Sequence, residues 1–500
     1  MRCDIEVCDG GLRYRGPTPE DRPAEVAVTA SPTEFELTRL APGTTPLYYR
    51  LDRGRLELGD DLRAFHRNGT PPAPDHGALL AMIHGLPDAP GSTPLPGVQE
   101  LMVANRLRVD RDGVCVLRRP QRLTPGLTSL QDALGQALAE HADDDEVAIA
   151  YSGGLASSFV AVSARSAGLR PELFHADLDG RSHPLPEIPD TNTYRVACDL
   201  RELLDPEQVT GRELAPPLPE VALRRRMLAR LREASGTPMA SGALLESLVS
   251  TTLPEAGAGR WGRRLLACEP FHRDGTLATL REARTVLAEK GTGMRGRRAP
   301  GSAPPQSESQ ELGASPPQAP SDGDGLPGLT EAGREALKSA RLASGAVWRT
   351  HLDDLPPAIG RLEAARQEAG PAEANRDVAI PALDPRVLDA IAALPARELG
   401  RLRGGRFVNQ APLRDALARA GVGQVREASS GFRVRLAAAR YVHRERRAIA
   451  AELARDCALA DLGLLDPAPV LRLLADGQAT ADRALTILRL SWLDRWLRRR

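Results

Sequence analysis

Six cysteines are all this chain of 500 residues has, and they are scattered at Cys3, Cys8, Cys115, Cys198, Cys268 and Cys457. None forms a CxxC pair, so neither a disulfide framework nor a zinc site is expected. There is no net charge either: Lys+Arg and Asp+Glu both number 66. Without a basic field over the whole chain, a general nucleic-acid binder is not expected. Long apolar runs are also missing. None reaches the length that spans a bilayer. The opening Met1-Arg-Cys-Asp-Ile-Glu-Val has no apolar stretch of the secretory kind. These absences predict a cytoplasmic protein with no membrane partner. Lysine is scarce beside arginine, while Ala, Gly and Pro are abundant, which reflects a GC-rich genome and not a function. The length allows two or more domains and a sizeable core.

What is present centres on Val147-Ala-Ile-Ala-Tyr-Ser-Gly-Gly-Leu-Ala-Ser-Ser-Phe-Val160. Residues 147–150 read as a buried parallel strand. Ser152-Gly153-Gly154 reads as a tight turn, and Ser157-Ser158 opens a helical pattern. A strand, a glycine turn and a helix N-terminus make an anion cradle, because backbone N–H groups and the helix dipole both favour negative charge. No Gly-Lys-Ser/Thr follows, so the spacing is not that of a Walker loop. The plain structural alternative is a Gly-rich strand-to-helix turn.

Before this loop, residues 1–120 carry short apolar runs broken by Gly, Pro and Asp, a β-rich pattern. Residues 46–58 read as a hairpin around Asp52-Arg53-Gly54, with a short helix from Asp60, a helix at 78–83 and further strands over 98–116. An amphipathic helix is predicted at 127–141. Beyond it, segments 147–150, 157–167, 172–176, 193–204 and 222–234 alternate as strand and helix, with 193–204 read as helix. That alternation predicts a parallel sheet with helices on both faces and ligands at the carboxyl ends of its strands. Residues 291–328 are Gly, Pro, Ser, Gln and Arg with few large apolar side chains, a composition that predicts a disordered surface insertion. Helical patterns resume at 330–368 and run to the end.

The loop Ser-Gly-Gly-Leu-x-Ser-Ser resembles the pyrophosphate loop of enzymes that split ATP into AMP and pyrophosphate, in the form found in asparagine synthetases. Further segments carry the same resemblance: Ala379-Ile-Pro-Ala-Leu-Asp-Pro, Asn409-Gln-Ala-Pro-Leu-Arg-Asp-Ala-Leu417 and Val425-Arg-Glu-Ala-Ser-Ser-Gly-Phe432. The resemblance covers roughly residues 40–270 and 340–450. It implies an α/β chain with a glutaminase-like sandwich at 1–122 and a parallel-sheet ATP-pyrophosphatase domain at 123–500, helical toward its end. ATP and Mg2+ are the cofactors it implies. Ser152, Gly153, Gly154, Ser157, Ser158, Ser241 and Gly242 would hold the nucleotide, and Glu246 a magnesium ion. Asp177 and Asp179 read as strand-end caps or ribose partners. Ser241 reads equally as a helix cap. His175 reads as packed or exposed.

Three departures stand against that pattern. Ala156 replaces the loop Asp. Leu244-Leu245-Glu246-Ser247 replaces a Gly-Gly-Asp-Glu core, bringing bulk where glycine had none. Ser430 occupies the position of the catalytic Lys, and a neutral hydroxyl does not stabilise the charge that a Lys would. Cys3 sits behind Arg2, so the free Cys α-amine that glutaminases of this type use is not expected. Lasso-peptide cyclases, which are similar in length and segment order, share an inactive first domain. Two functions follow. One is ATP-dependent amide or isopeptide formation on a precursor peptide or small carboxylate and amine, beside a leader-peptide-binding protein and a protease. The other is a non-catalytic peptide-binding or scaffolding subunit.

Overall fold

The computed structural model describes residues 2–8, 11–15, 26–31, 33–39, 47–52, 55–60, 65, 76–85, 91, 93, 95, 97–102, 105–110, 113–118, 128–178, 184–205, 209, 218–250, 326–340, 378–403, 406–423, 425, 430–477 and 481–499. The chain divides into two compact units. The first joins Met1–Leu248, Gly325–Ala393 and Ala416–Arg500, and the second joins Val249–Asp324 and Leu394–Asp415.

The described residues of the first unit begin with nine strands: β1 Arg2–Cys8, β2 Gly11–Arg15, β3 Val26–Ala30, β4 Phe35–Arg39, β5 Tyr48–Asp52, β6 Arg55–Gly59, β7 Val98–Glu100, β8 Asn105–Asp110 and β9 Gly113–Arg118. They form two antiparallel sheets, ordered β2-β1-β6-β5-β7 and β3-β4-β8-β9. Side chains alternate along each strand with a period of two. Leu56 and Leu58 of one sheet therefore reach the same core as Phe35, Leu37, Leu107 and Val109 of the other. The predicted hairpin is β5–β6, closed by the pair Asp52 and Arg55. Its turn residues Arg53 and Gly54 lie outside the described residues, as does most of the short helix expected from Asp60.

Helix α1, His76–His84, matches the expected 78–83 segment. Its Leu79, Leu80 and Ile83 enter a core with Val442, Leu488, Trp492 and Trp496 of the helices Ser430–Arg455 and Ala481–Arg499. Arg489 fixes this contact: its guanidinium meets Glu220 at 2.5 Å and donates to the Ile83 carbonyl. Gly85, at φ +64°, leaves the space that the Arg489 guanidinium takes.

The second half of the first unit holds α2 Leu130–Ala139, β10 Glu146–Ala150, α3 Leu155–Ser166, β11 Arg170–Leu178, β12 Asn192–Cys198, α4 Leu200–Leu203, α5 Pro219–Ser235, β13 Met239–Ser241, α6 Leu245–Leu248 and β14 Val378–Ala379. All four strand pairings are parallel, and the order is β12-β11-β10-β13-β14. Ala148 and Ala150 face Leu231 of α5. Val147 and Ile149, one residue out of phase and fully buried, face the other side, where α3 packs. Helices thus cover both faces, as expected. The sequence direction reverses between β10 and β13, and crevices for ligands form at such a reversal.

One expected helix is a strand. Residues 193–204 form the end strand β12 and then the single turn α4, joined at Asp199, which caps α4 by accepting from Arg201 N at 2.8 Å. Thr193, Tyr194 and Val196 are β-branched or aromatic and suit a pleated edge better than a helix. Tyr194 stacks on Phe174 of β11, with ring centroids 5.0 Å apart. The insertion at 291–328 lies almost wholly outside the described residues. Of the helical pattern at 330–368, residues 331–340 are described and are helical. No helix among the described residues is long and apolar enough to cross a membrane.

In the second unit, β15 Gly400–Arg403 and β16 Arg406–Asn409 pair antiparallel. Asn409 donates to the Ser250 hydroxyl at 2.8 Å.

Candidate functional site

The carboxyl ends of β10 and β13 bring two loops together. Beyond β10 the parallel ladder continues for one residue, with Tyr151 N donating to Phe174 O at 2.8 Å. The buried His175 ring lies with Nδ1 2.8 Å from the Tyr151 carbonyl. It is a packed residue that steadies the start of the loop. The chain then turns at Gly153, whose φ of +69° is a left-handed value that glycine adopts without cost.

The loop serines are spent on the loop itself. Ser152 Oγ accepts from Gly154 N at 3.2 Å, and Ser157 Oγ accepts from Ser152 N at 3.2 Å. Ser157 Oγ also donates to Gly154 O at 3.2 Å. Ser158 is fully buried, 3.5 Å from the Tyr151 hydroxyl. Of the three serines, Ser152 alone is exposed.

Gly154 is the N-cap of α3 and supplies no side-chain cap. That leaves first-turn amides that need an acceptor. One acceptor arrives from the second loop: Glu246 Oε1 accepts from Ala156 N at 3.1 Å. A carboxylate at this place is favoured by the helix dipole as an anion would be. Gly242 makes the approach feasible, because a Cβ there would stand 3.0 Å from Ala156 C and Ser157 N. Ser241 Oγ accepts from Ala243 N at 3.3 Å, a local turn bond two residues short of α6, so Ser241 does not cap that helix as the alternative reading expected. Leu244 holds φ +67°, and Leu245 is fully buried. The loop therefore keeps a left-handed residue where the resembled pattern has glycine.

A third segment, residues 184–188, lies over the first loop. Leu185 Cδ2 and Pro186 Cδ come within 2.9 and 3.0 Å of where a Gly153 Cβ would be. The Tyr151 hydroxyl donates to Pro186 O at 2.7 Å, and Ile188 is buried. Neither Tyr151 nor this segment was singled out by the sequence. The only signal available was the Pro184-Leu-Pro186 spacing after β11, which marks a stiff extended stretch.

At the end of β11, Asp177 Oδ1 is buried without a hydrogen-bond partner. Asp179 lies outside the described residues. Ser430 begins the helix Ser430–Arg455, and its side chain lies outside the described residues. No group of three or more His, Cys, Asp or Glu side chains converges among the described residues. Glu246 is the carboxylate at the loop, and it is engaged with a helix amide. Magnesium is commonly held by one or two carboxylates together with phosphate and water oxygens; among the described residues Glu246 is the carboxylate that would serve, once released from the Ala156 amide. No protein-family model matches the chain, and no curated protein matches it.

Proposed function

We propose that the chain is an asparagine-synthetase-like protein of the lasso-cyclase kind, with a glutaminase-like region at 1–122, that acts as a non-catalytic peptide-binding or scaffolding subunit. The observation that carries this reading is the bond from Ala156 N to Glu246 Oε1. The amide that would receive a phosphate oxygen already holds a carboxylate of the chain itself. A phosphate placed there would meet like charge as well as a filled position. The missing carboxylate at Ala156 and the missing ammonium at Ser430 point the same way. Without the carboxylate a magnesium ion loses a ligand, and without the ammonium the acyl transition state loses a positive charge beside it.

The second reading, AMP-forming amide ligation, is favoured by one observation: the loop 152–154 lies at the reversal of strand order, where nucleotides bind in such sheets. Calorimetry with millimolar ATP and Mg2+, followed by mass spectrometry with candidate precursor peptides, separates the two. No heat of binding and no AMP are expected. AMP release that depends on a peptide would replace the first reading with the second. Ala156→Asp adds a direct check on the metal. It should lower the melting temperature, because two carboxylates then share one helix end. A recovery on adding Mg2+ would favour the enzyme.

A further inference from the structure

The segment 184–188 has no role in either reading. It connects two adjacent parallel strands, β11 and β12, a place where a helix usually runs. Here its described part is extended and follows α3 from one end to the other. At the N-terminal end of α3, Leu185 and Pro186 press on Gly153. At the C-terminal end, Arg165 pairs with Asp190 at 2.5 Å. Between them Ile188 is buried, and its carbonyl accepts from Thr191 Oγ1 at 2.8 Å. Gly153 is buried beneath this stretch, while Ser152 beside it is exposed.

Most of these contacts would suit any packed loop. The Tyr151 bond differs. Tyr151 belongs to the phosphate-type loop, is 1 % exposed, and sends its hydroxyl to a backbone carbonyl of the strap. Lifting the strap breaks this bond, so the net value of one hydrogen bond opposes it. We infer that residues 184–188 form a lid over the loop, closed in this structure and latched by Tyr151, that keeps anions of pyrophosphate size away from Gly153. The inference rests on the proposed reading of the loop as a former nucleotide site. It adds a second barrier to the one that Glu246 makes from below.

The test uses the full chain and inorganic pyrophosphate with Mg2+ as the probe. Tyr151→Phe removes the latch and keeps the ring. Amide exchange at Leu185, Glu187 and Ile188 should speed up by about three- to tenfold, the value of one hydrogen bond. Because Glu246 also blocks the loop, binding is compared in its absence. Glu246→Ala with Tyr151→Phe should bind pyrophosphate about three- to tenfold more tightly than Glu246→Ala alone. Leu185→Gly, which thins the lid and leaves the latch, should move affinity the same way. Unchanged exchange in Tyr151→Phe overturns the lid. So does faster exchange with no gain in pyrophosphate affinity in either double variant. ATP binding with AMP release by the wild-type chain would instead overturn the non-catalytic reading, whatever the exchange shows.

Discussion

The loops that follow β10 and β13 place a left-handed residue at nearly the same φ, +69° at Gly153 and +67° at Leu244. In the first the residue is glycine, and the conformation is free. In the second it is leucine, and the conformation costs about 1–2 kcal/mol. The second loop takes this backbone path with a residue that does not suit it. The surrounding structure enforces it: Gly242 is wedged on α3 and Leu245 is fully buried on the other side. The two loops therefore differ in chemistry more than in shape. One offers amide donors, and the other, which resembles a metal-holding loop, delivers a carboxylate to those donors.

The contact between the loops is the first place to break this arrangement. Gly242→Val puts branched bulk 3.0 Å from the α3 backbone, and backbone cannot give way as a side chain can. Overpacking of this kind costs about 3 kcal/mol. Denaturant unfolding should show a large loss of midpoint at unchanged slope. A loss below about 1 kcal/mol would mean that the loops are not in contact.

Gly153→Ala tests the first loop alone. It adds the left-handed penalty and a Cβ 2.9 Å from Leu185, for a loss of about 2 kcal/mol. Part of that clash falls on the end of a flexible leucine. Combining it with Leu185→Gly should recover some stability, leaving the backbone share of about 1 kcal/mol. No recovery would remove Leu185 from above the loop.

These tests concern features of unequal visibility in the sequence. The strand 147–150, the glycine turn and the helix that follows were legible, since each rests on local periodicity and on glycine. The β5–β6 hairpin and α2 were legible for the same reason. Residues 193–204 were not. Their Ala and Val spacing resembles a family helix, and only pairing along β11 decides for a strand. The bond from Ala156 N to Glu246 was not legible either, because the two residues lie 90 positions apart and no local pattern encodes such a contact. Tyr151 was not singled out, since its acceptor is a carbonyl 35 residues on.

Glu246→Ala asks whether the carboxylate stabilises the fold or only occupies it. Loss of a charged cap at the end of α3 should cost about 1–2 kcal/mol. Glu246→Gln keeps an acceptor oxygen without the charge and should cost roughly half of that. If both variants match wild type by thermal melting, the carboxylate does not hold α3.

The smallest effect returns to Leu244. Leu244→Gly and Leu244→Ala remove the same half-buried side chain, so the loss of apolar contact nearly cancels between them. What remains is the Cβ. At ordinary φ, alanine is the more stable of the two by about 0.5–1 kcal/mol, because glycine loses more chain entropy on folding. At a left-handed φ the order reverses, because the Cβ crowds the carbonyl that follows it. Leu244→Gly should therefore exceed Leu244→Ala by about 0.5–1 kcal/mol in chemical denaturation. The sign, rather than the size, decides. Alanine above glycine would mean that the second loop has abandoned the glycine path, and its likeness to the first loop would end there.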